Sequence, residues 1–250
     1  MYTLKKSLGQ HFLKDEAVCQ KIVSALREMP FSQLLEVGPG GGALTKYLLD
    51  MPGVDFRAVE LDEEKIRYLI KNYPSLEGRI LHESILETGC PFTGKFTVIG
   101  NFPYNISSQI LFRILEWNEE VEGLVGMFQK EVATRIAAGP NNKDYGILSV
   151  LVQAFFSVEY LFDVDENCFS PPPKVKSGVI RMVNAGNPWK ITNKKKFFNL
   201  VKTAFGQRRK QLRNPLKSMF DPEILKEDLF TKRAENLGVE DYVNLMNRMK

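Results

Sequence analysis

The alternation of short apolar runs with helix-forming segments is the feature of this chain that most constrains its fold. The predicted strands are Gln33 to Val37, Asp55 to Glu60, Arg79 to His82, Lys95 to Gly100 and Val121 to Phe128. Segments between them, such as Asp62 to Lys71 and Ser107 to Trp117, have the apolar spacing of helices. We therefore expect an α/β fold with a mostly parallel sheet and helices on both faces.

Beyond Gln129 the pattern becomes mainly helical, with two further apolar runs near its end. Val158 to Phe162 and Gly178 to Val183 are predicted to be closing strands that pair as a hairpin, a departure from parallel order at this edge. From about Asn184 the chain is strand-poor, basic and helical. We therefore predict two domains, residues 1–183 and 184–250.

Positive charge is concentrated in one block of the predicted second domain. The formal net charge is +4, yet Lys190 to Lys217 holds ten Lys or Arg residues and no Asp or Glu, which leaves about −6 on the rest. Such a block indicates a polyanionic partner, although a solvated helix face would have the same composition. On a helix, Lys202, Arg209 and Arg213 would form one stripe suited to the backbone of structured RNA.

The sequence gives no indication of secretion, of a membrane span or of a metal centre. Its N-terminal residues lack the apolar core of a secretion signal, and the apolar stretch Ile147 to Val158 is interrupted by Gln153. We expect a cytoplasmic protein without membrane spans. Cys19, Cys90 and Cys168 form no CxxC pair, so we expect neither a disulfide framework nor a zinc site.

A glycine-rich turn follows the first predicted strand of the sheet. Gly38-Pro39-Gly40-Gly41-Gly42 lets the backbone approach a ligand closely, and the helix expected from Ala43 offers unpaired N–H groups. Glu60 ends the next strand, where a carboxylate accepts hydrogen bonds from ribose hydroxyls. The turn therefore predicts a nucleotide-containing cofactor.

The type of cofactor depends on the residue before the glycines. Gly38, Gly40 and Ala43 also satisfy the looser dinucleotide pattern, so a nicotinamide enzyme is an alternative. Glu36 favours a methyltransferase, because its carboxylate attracts the cationic amino group of a methionine moiety and repels a pyrophosphate.

The segment Asn101-Phe102-Pro103-Tyr104 follows a predicted buried strand and should lie at the carboxyl edge of the sheet. Pro103 disfavours helical dihedrals at Phe102, which allows the Phe102 carbonyl to turn outward beside the side-chain oxygen of Asn101. Two acceptors suit an aromatic amine, whose two N–H groups they bind while its lone pair turns toward a methyl donor. Tyr104 is expected to stack on the target base.

A proline-rich segment, Cys168 to Ser177, is a second candidate for base recognition. Its stiffness would present Phe169 so that a flipped base is held between this ring and Tyr104, while Lys174 and Lys176 meet phosphates. An interdomain spacer or an SH3-type ligand has the same pattern.

Several separate motifs now coincide. Six segments of the chain each match a motif of one known protein family. They are Gly9 to Leu13, Glu36 to Gly40, Asn101 to Tyr104, Gln129 to Val132, Phe169 to Ser177 and Gln207 to Lys210. With them the sequence resembles the KsgA/RsmA family of small-subunit ribosomal RNA adenine dimethyltransferases through nearly its whole length.

The resemblance implies a Rossmann-like, seven-stranded methyltransferase domain and a small helical C-terminal domain. It implies that S-adenosylmethionine is the cofactor and that two adjacent adenines near the 3′ end of 16S rRNA receive four methyl groups, in an assembling 30S subunit. No surface pattern demands a dimer, so a monomer is expected. The implied cofactor-site residues are His11, Leu13, Gly38, Gly40, Glu60 and Asn101, those that hold the adenine are Asn101, Phe102, Tyr104 and Phe169, and the predicted RNA contacts of the tail are Lys202, Arg208, Arg209, Lys210 and Arg213.

Other functions share part of this pattern. The resistance methylases that act on 23S rRNA have the same cofactor and use an N-x-P-Y motif in the same way. A non-catalytic assembly factor would need only the basic tail. A protein glutamine methyltransferase or a nicotinamide oxidoreductase leaves that tail unexplained.

One position departs from the family pattern. Where the family has an Asp that accepts a hydrogen bond from the cofactor's adenine amine, this chain has Ser84, within Glu83-Ser84-Ile85-Leu86. A neutral hydroxyl is the weaker acceptor, so cofactor binding should be looser by on the order of 1 kcal/mol unless Glu83 or a water substitutes.

The variant Ser84→Asp tests this expectation. Restoring the carboxylate should lower the dissociation constant for S-adenosylmethionine about fivefold, as measured by calorimetric titration. An unchanged constant would show that the hydroxyl is no handicap.

Overall fold

The computed structural model describes residues 11–250, so Gly9 and Gln10 of the first motif lie outside the described residues. The strands are β1 (Phe12–Leu13), β2 (Gln33–Val37), β3 (Asp55–Glu60), β4 (Ile80–His82), β5 (Phe96–Asn101), β6 (Val121–Gln129), β7 (Phe156–Val164), β8 (Phe169–Ser170) and β9 (Ser177–Asn184). The α-helices are α1 (Glu16–Arg27), α2 (Thr45–Leu48), α3 (Glu63–Asn72), α4 (Ser107–Glu116), α5 (Lys130–Ala137), α6 (Ile147–Gln153), α7 (Lys194–Gly206) and α8 (Val239–Arg248).

Seven strands form one sheet in the order β4-β3-β2-β5-β6-β9-β7, and β1 pairs with β8 in a separate two-stranded sheet. The pairs β3–β4, β2–β3, β2–β5 and β5–β6 are parallel, whereas β9 runs antiparallel to β6. The predicted mostly parallel sheet is confirmed, as is its departure from parallel order at one edge. The two closing strands are neighbours, although β8 lies between them in the chain.

Strand β5 lies inside the sheet and is covered on both faces. Its residues Phe96 to Gly100 are all buried, and Asn101 at its carboxyl end is the first to be partly exposed. A strand that is buried along its length and mostly apolar, here with Thr97 as the one polar residue before Asn101, is typical of the centre of a parallel sheet. The burial pattern therefore places Asn101 at the edge where ligands bind in open α/β folds.

Two paired glycines leave the space for the ring of Phe102. Gly100 on β5 lies opposite Gly126 on β6 in the parallel register. A Cβ atom at Gly126 would lie 2.3 Å from Cε2 of Phe102 and 2.8 Å from Cε2 of Phe128, and one at Gly100 would lie 2.9 Å from Cε1 of Phe102. Because real side chains do not approach so closely, the ring of Phe102 fits only over glycines.

The chain forms two compact units. The first comprises Met1–Ala133, of which residues 11–133 are described, and Val158–Asn184; the second comprises Thr134–Ser157 and Ala185–Lys250. The sequence places the boundary at residue 184, whereas in the structure residues 134–157 also belong to the second unit. The reason is packing: α6 contacts α7 and α8, and the buried Tyr145 hydroxyl donates a hydrogen bond to the carbonyl of Leu237 at 3.0 Å.

The predicted stripe of three basic residues on one helix is wrong. Helix α7 ends at Gly206, so Arg209 and Arg213 lie beyond it. The N–H of Leu212 donates to the carbonyl of Lys232 at 2.9 Å, and that of Arg213 donates to Phe230 at 3.1 Å. These long-range hydrogen bonds occupy donors that a continued helix would need.

In residues 11–250 no helix is long and apolar enough to cross a lipid bilayer.

The variant Gly126→Ala tests the packing of Phe102. The added methyl group collides with two rings, so we expect the free energy of unfolding to fall by about 1–3 kcal/mol, measured by denaturant titration. Gly89→Ala is the matched control, because Gly89 is exposed and a Cβ there meets nothing within 4 Å. Equal stability of the two variants would contradict the proposed fit.

Candidate functional site

A cavity of about 300 Å³ opens at the carboxyl ends of β2, β3, β4 and β5. It brings together residues that are far apart in the sequence. The predicted site residues that line it are His11, Leu13, Glu36, Gly38, Gly40, Glu60, Ser84, Asn101, Phe102 and Tyr104. Every predicted cofactor residue is therefore on its wall.

The glycine turn adopts backbone conformations that favour glycine. Gly38 and Gly40 have φ values of +67° and +58°, which other residues rarely adopt. A Cβ at Gly40 would lie 3.1 Å from Cε1 of Phe12, so the ring of Phe12 lies close to the turn. The turn is thus both left-handed and closely approached by another segment.

Glu60 joins the end of β3 to the glycine turn. Its carboxylate accepts hydrogen bonds from the N–H of Gly40 at 3.2 Å and from the N–H groups of Leu61 and Asp62, both at 3.0 Å. With only 7% of its surface exposed, it is held by the backbone rather than solvated. A carboxylate has about four lone-pair sites, so capacity for a further donor remains.

Glu36 has different surroundings. It is 2% exposed, and Thr45 Oγ1 donates to its Oε2 at 2.7 Å. Burial raises the pKa of Glu36 to about 8, the hydrogen bond from Thr45 opposes this, and the charge of Glu60 adds to it. At neutral pH the buried carboxyl of the ligand-free protein is mostly protonated.

The side chain of Asn101 is oriented by the segment at the start of the described chain. Its Nδ2 donates to the carbonyl of His11 at 3.1 Å. A carbonyl only accepts, so the amide must turn its nitrogen toward His11, which leaves Oδ1 as an acceptor. The ring of His11 also stacks on Tyr104, with 5.7 Å between ring centroids and 28° between planes.

A ribosomal RNA adenine dimethylase family model matches residues 1–250. The chain belongs to this family. It is 50% identical to the ribosomal RNA small subunit methyltransferase A of Flavobacterium johnsoniae, over 98% of this chain and 95% of that protein. It is 47% identical to the protein of the same name from Cytophaga hutchinsonii, over 98% and 96% of the two chains.

Solved structures show the same fold at lower sequence identity. A dimethyladenosine transferase from Plasmodium falciparum superposes with a TM-score of 0.81 at 24% identity, over 96% of this chain and 99% of that one. The 23S rRNA methyltransferase ErmE superposes with a TM-score of 0.73 at 23% identity, over 95% and 99%. The predicted Rossmann-like, seven-stranded methyltransferase fold is confirmed.

Phe169 does not lie where the sequence analysis of this dimethylase places it. Its side chain is 0% exposed and belongs to the hydrophobic core. Antiparallel pairing of β8 with β1 sets Phe169 opposite Leu13 and fixes it there. A ring without exposed surface has no face for an incoming base, so the predicted base sandwich with Tyr104 is not formed in this structure.

The predicted phosphate contacts differ in how far they are already engaged. Lys174 is exposed, whereas Nζ of Lys176 lies 3.6 Å from a carboxylate oxygen of Asp165. In the second unit, Arg208 Nε donates to Glu235 at 2.6 Å. The side chains of Lys202, Arg209 and Lys210 are exposed, and Arg213 is half-buried.

The cavity also has wall residues that the sequence analysis missed. Lys65, in the first turn of α3, is 3% exposed, and its Nζ lies 5.2 Å from the ring centroid of Phe12. Leu61, directly after Glu60, keeps 55% of its surface exposed although it is apolar. A lysine in a charged helical segment gives no sequence signal of burial. An apolar residue directly after Glu60, the predicted ribose-binding carboxylate, is a signal that could have found Leu61.

Protonation of Glu36 predicts a pH dependence of stability in the ligand-free protein. The raised pKa means that the folded state holds a proton that the unfolded state loses near pH 4.5, so stability falls as the pH rises from there to about 8. The neutral variant Glu36→Gln lacks this loss. Near pH 5 the two proteins should have similar stability, and at pH 9 the variant should be more stable by at least about 1 kcal/mol.

Thermal unfolding across this pH range measures the effect. Glu87→Gln, at an exposed position, controls for the removal of a carboxylate. Parallel stability curves for Glu36→Gln and wild type would rule out the protonated carboxyl.

Proposed function

We propose that this chain transfers methyl groups from S-adenosylmethionine to the N6 amines of two adjacent adenines near the 3′ end of 16S rRNA. The observation that carries the proposal is the convergence of Asn101, Glu36, Glu60 and the glycine turn on one cavity. Membership of the dimethylase family and 50% identity to a small-subunit methyltransferase support the substrate.

The residues of the cavity suit the cofactor. Glu60 has acceptor capacity left for ribose hydroxyls after its three backbone hydrogen bonds. Glu36 would receive the ammonium group of the methionine moiety, and the cation would favour its ionised form. A Cβ atom at Gly38 would meet nothing within 4 Å, so the backbone there is open to a ligand. Ser84 and Leu61 would lie toward the adenine ring of the cofactor.

The chain's own residues hold the target amine. The bound cofactor supplies an electrophilic methyl group on a sulfonium. Asn101 Oδ1 would accept one N–H of the adenine N6, and the Phe102 carbonyl would accept the other. In the first transfer to each adenine these two hydrogen bonds direct the nitrogen lone pair at the methyl group, and in the second the one remaining N–H keeps a single acceptor. The nitrogen releases one proton to solvent after each transfer, so positioning and electrostatics replace a strong general base.

The fold alone does not separate small-subunit from large-subunit substrates. A 23S rRNA methyltransferase superposes over 95% of this chain. The choice rests on sequence, because the curated relatives at 44–50% identity carry the small-subunit name.

The proposed partner is an assembling 30S subunit, met by a monomer in the cytoplasm. Exposed Lys202, Arg209 and Lys210 would contact the phosphate backbone, with Lys174 as a further contact. Arg208 and Lys176 would contribute after leaving their ion pairs with Glu235 and Asp165. Arg213 is half-buried and would contribute once it is more exposed.

The test is to incubate undermethylated 30S subunits with the protein and labelled S-adenosylmethionine, followed by nucleoside analysis of the RNA. N6,N6-dimethyladenosine should appear in 16S rRNA, and Asn101→Ala should reduce the rate at least about 100-fold without unfolding the protein. Asn72→Ala, at an exposed position on α3, is the matched control.

Two outcomes would refute the proposal. One is a folded wild-type protein that methylates 23S rRNA and leaves 30S subunits unmodified. The other is full activity of Asn101→Ala.

A further inference from the structure

The hydroxyl of Tyr104 meets a buried serine from a distant part of the chain. Oη of Tyr104 and Oγ of Ser177 are 2.5 Å apart, and 73 positions separate the two residues. Ser177 begins β9 and is 0% exposed. It is therefore a polar side chain inside the protein at the point where β9, an inner strand between β6 and β7, starts.

Ser177 has a fixed position. In the antiparallel register of β6 and β9 it lies opposite Gln129, and the next pair is Phe128 with Gly178. The N–H of Lys130 also donates to the carbonyl of Lys176 at 2.9 Å. The hydroxyl of Ser177 is thus held by the sheet and not by a mobile loop.

Tyr104 is held less firmly by its own segment. It lies in a single turn of 3₁₀-helix, Tyr104–Ile106, after Pro103. Burial raises the pKa of Tyr104, so its phenol stays protonated and can share a hydrogen bond with Ser177. The ring of His11 is stacked on it. The hydroxyl of Tyr104 is therefore hydrogen-bonded to the start of β9, and the His11 ring stacks on the Tyr104 ring.

We propose that Ser177 is a positioning residue for methyl transfer, which fixes the ring of Tyr104 at the angle at which it stacks on the target adenine. This inference rests on the proposed function. A buried hydroxyl left without a partner costs free energy, so each of the two hydroxyls holds the other in place. Without Ser177 the ring would sample other angles, and the adenine amine would be misplaced relative to the methyl group.

The first test is kinetic. Ser177→Ala should lower kcat about tenfold and leave the KM for S-adenosylmethionine nearly unchanged, because neither Ser177 nor the Tyr104 hydroxyl is among the proposed cofactor contacts. Tyr104→Phe removes the other hydroxyl and should give the same loss. The double variant should be no slower than either single variant, since both remove one interaction.

The control for a purely structural effect is Ser149→Ala. Ser149 is also 0% exposed, and its hydroxyl accepts from the N–H of Gly146 at 2.9 Å, in the second unit. This variant should lower the melting temperature without the loss of kcat. A Ser177→Ala protein with wild-type kcat, or a double variant with multiplied losses, would overturn the proposal.

A second readout does not need activity. In protein labelled with ¹³C at tyrosine rings, the Tyr104 signal, assigned through Tyr104→Phe, should shift or broaden in Ser177→Ala. An unchanged signal would also overturn the proposal. If this signal changes while the wild-type protein methylates no RNA, the proposed function is refuted. The inference that Ser177 positions the ring of Tyr104 would still hold.

Discussion

The site depends on one packing constraint, the fit of the Phe102 ring over two glycines. Gly100 and Gly126 lie side by side on neighbouring parallel strands, and no Cβ would fit at either. The ring anchored there belongs to the residue whose carbonyl is the proposed second acceptor. A buried aromatic side chain thus fixes the backbone next to Asn101, where a misplacement of 1 Å is costly for group transfer. The packing of an uncharged ring therefore positions the proposed acceptors.

Two carboxyl groups share the cavity and have different surroundings. Glu60 accepts three hydrogen bonds from backbone N–H groups. Glu36 is almost fully buried with a single hydroxyl donor, and it is more easily protonated. Two negative charges in one pocket would repel each other, and the proton on Glu36 removes that repulsion. A cationic ligand would then compensate the second charge.

Much of the fold and of the site was predictable because their signals are local. Strands β2 and β3 begin and end at the predicted residues, and the glycine turn follows β2 as its composition indicates. Features set by distant parts of the chain were not predictable. The burial of Phe169 follows from the pairing of β8 with β1, and the end of α7 before Arg209 goes with hydrogen bonds to residues 230–233. The sequence around Phe169 shows a proline-rich segment and contains no sign of its partner strand.

That pairing has a consequence for biosynthesis. His11 Nδ1 donates to the carbonyl of Pro171 at 2.9 Å, and the N–H of Lys14 donates to that of Cys168 at 2.9 Å. One wall of the cavity therefore makes contacts with Asn101 and Tyr104 and, in addition, with residues that emerge more than 150 positions after it. Contacts of such sequence separation form slowly, because a long loop must close before they repay its entropy. A nascent chain thus acquires its strands early and its finished cofactor pocket late.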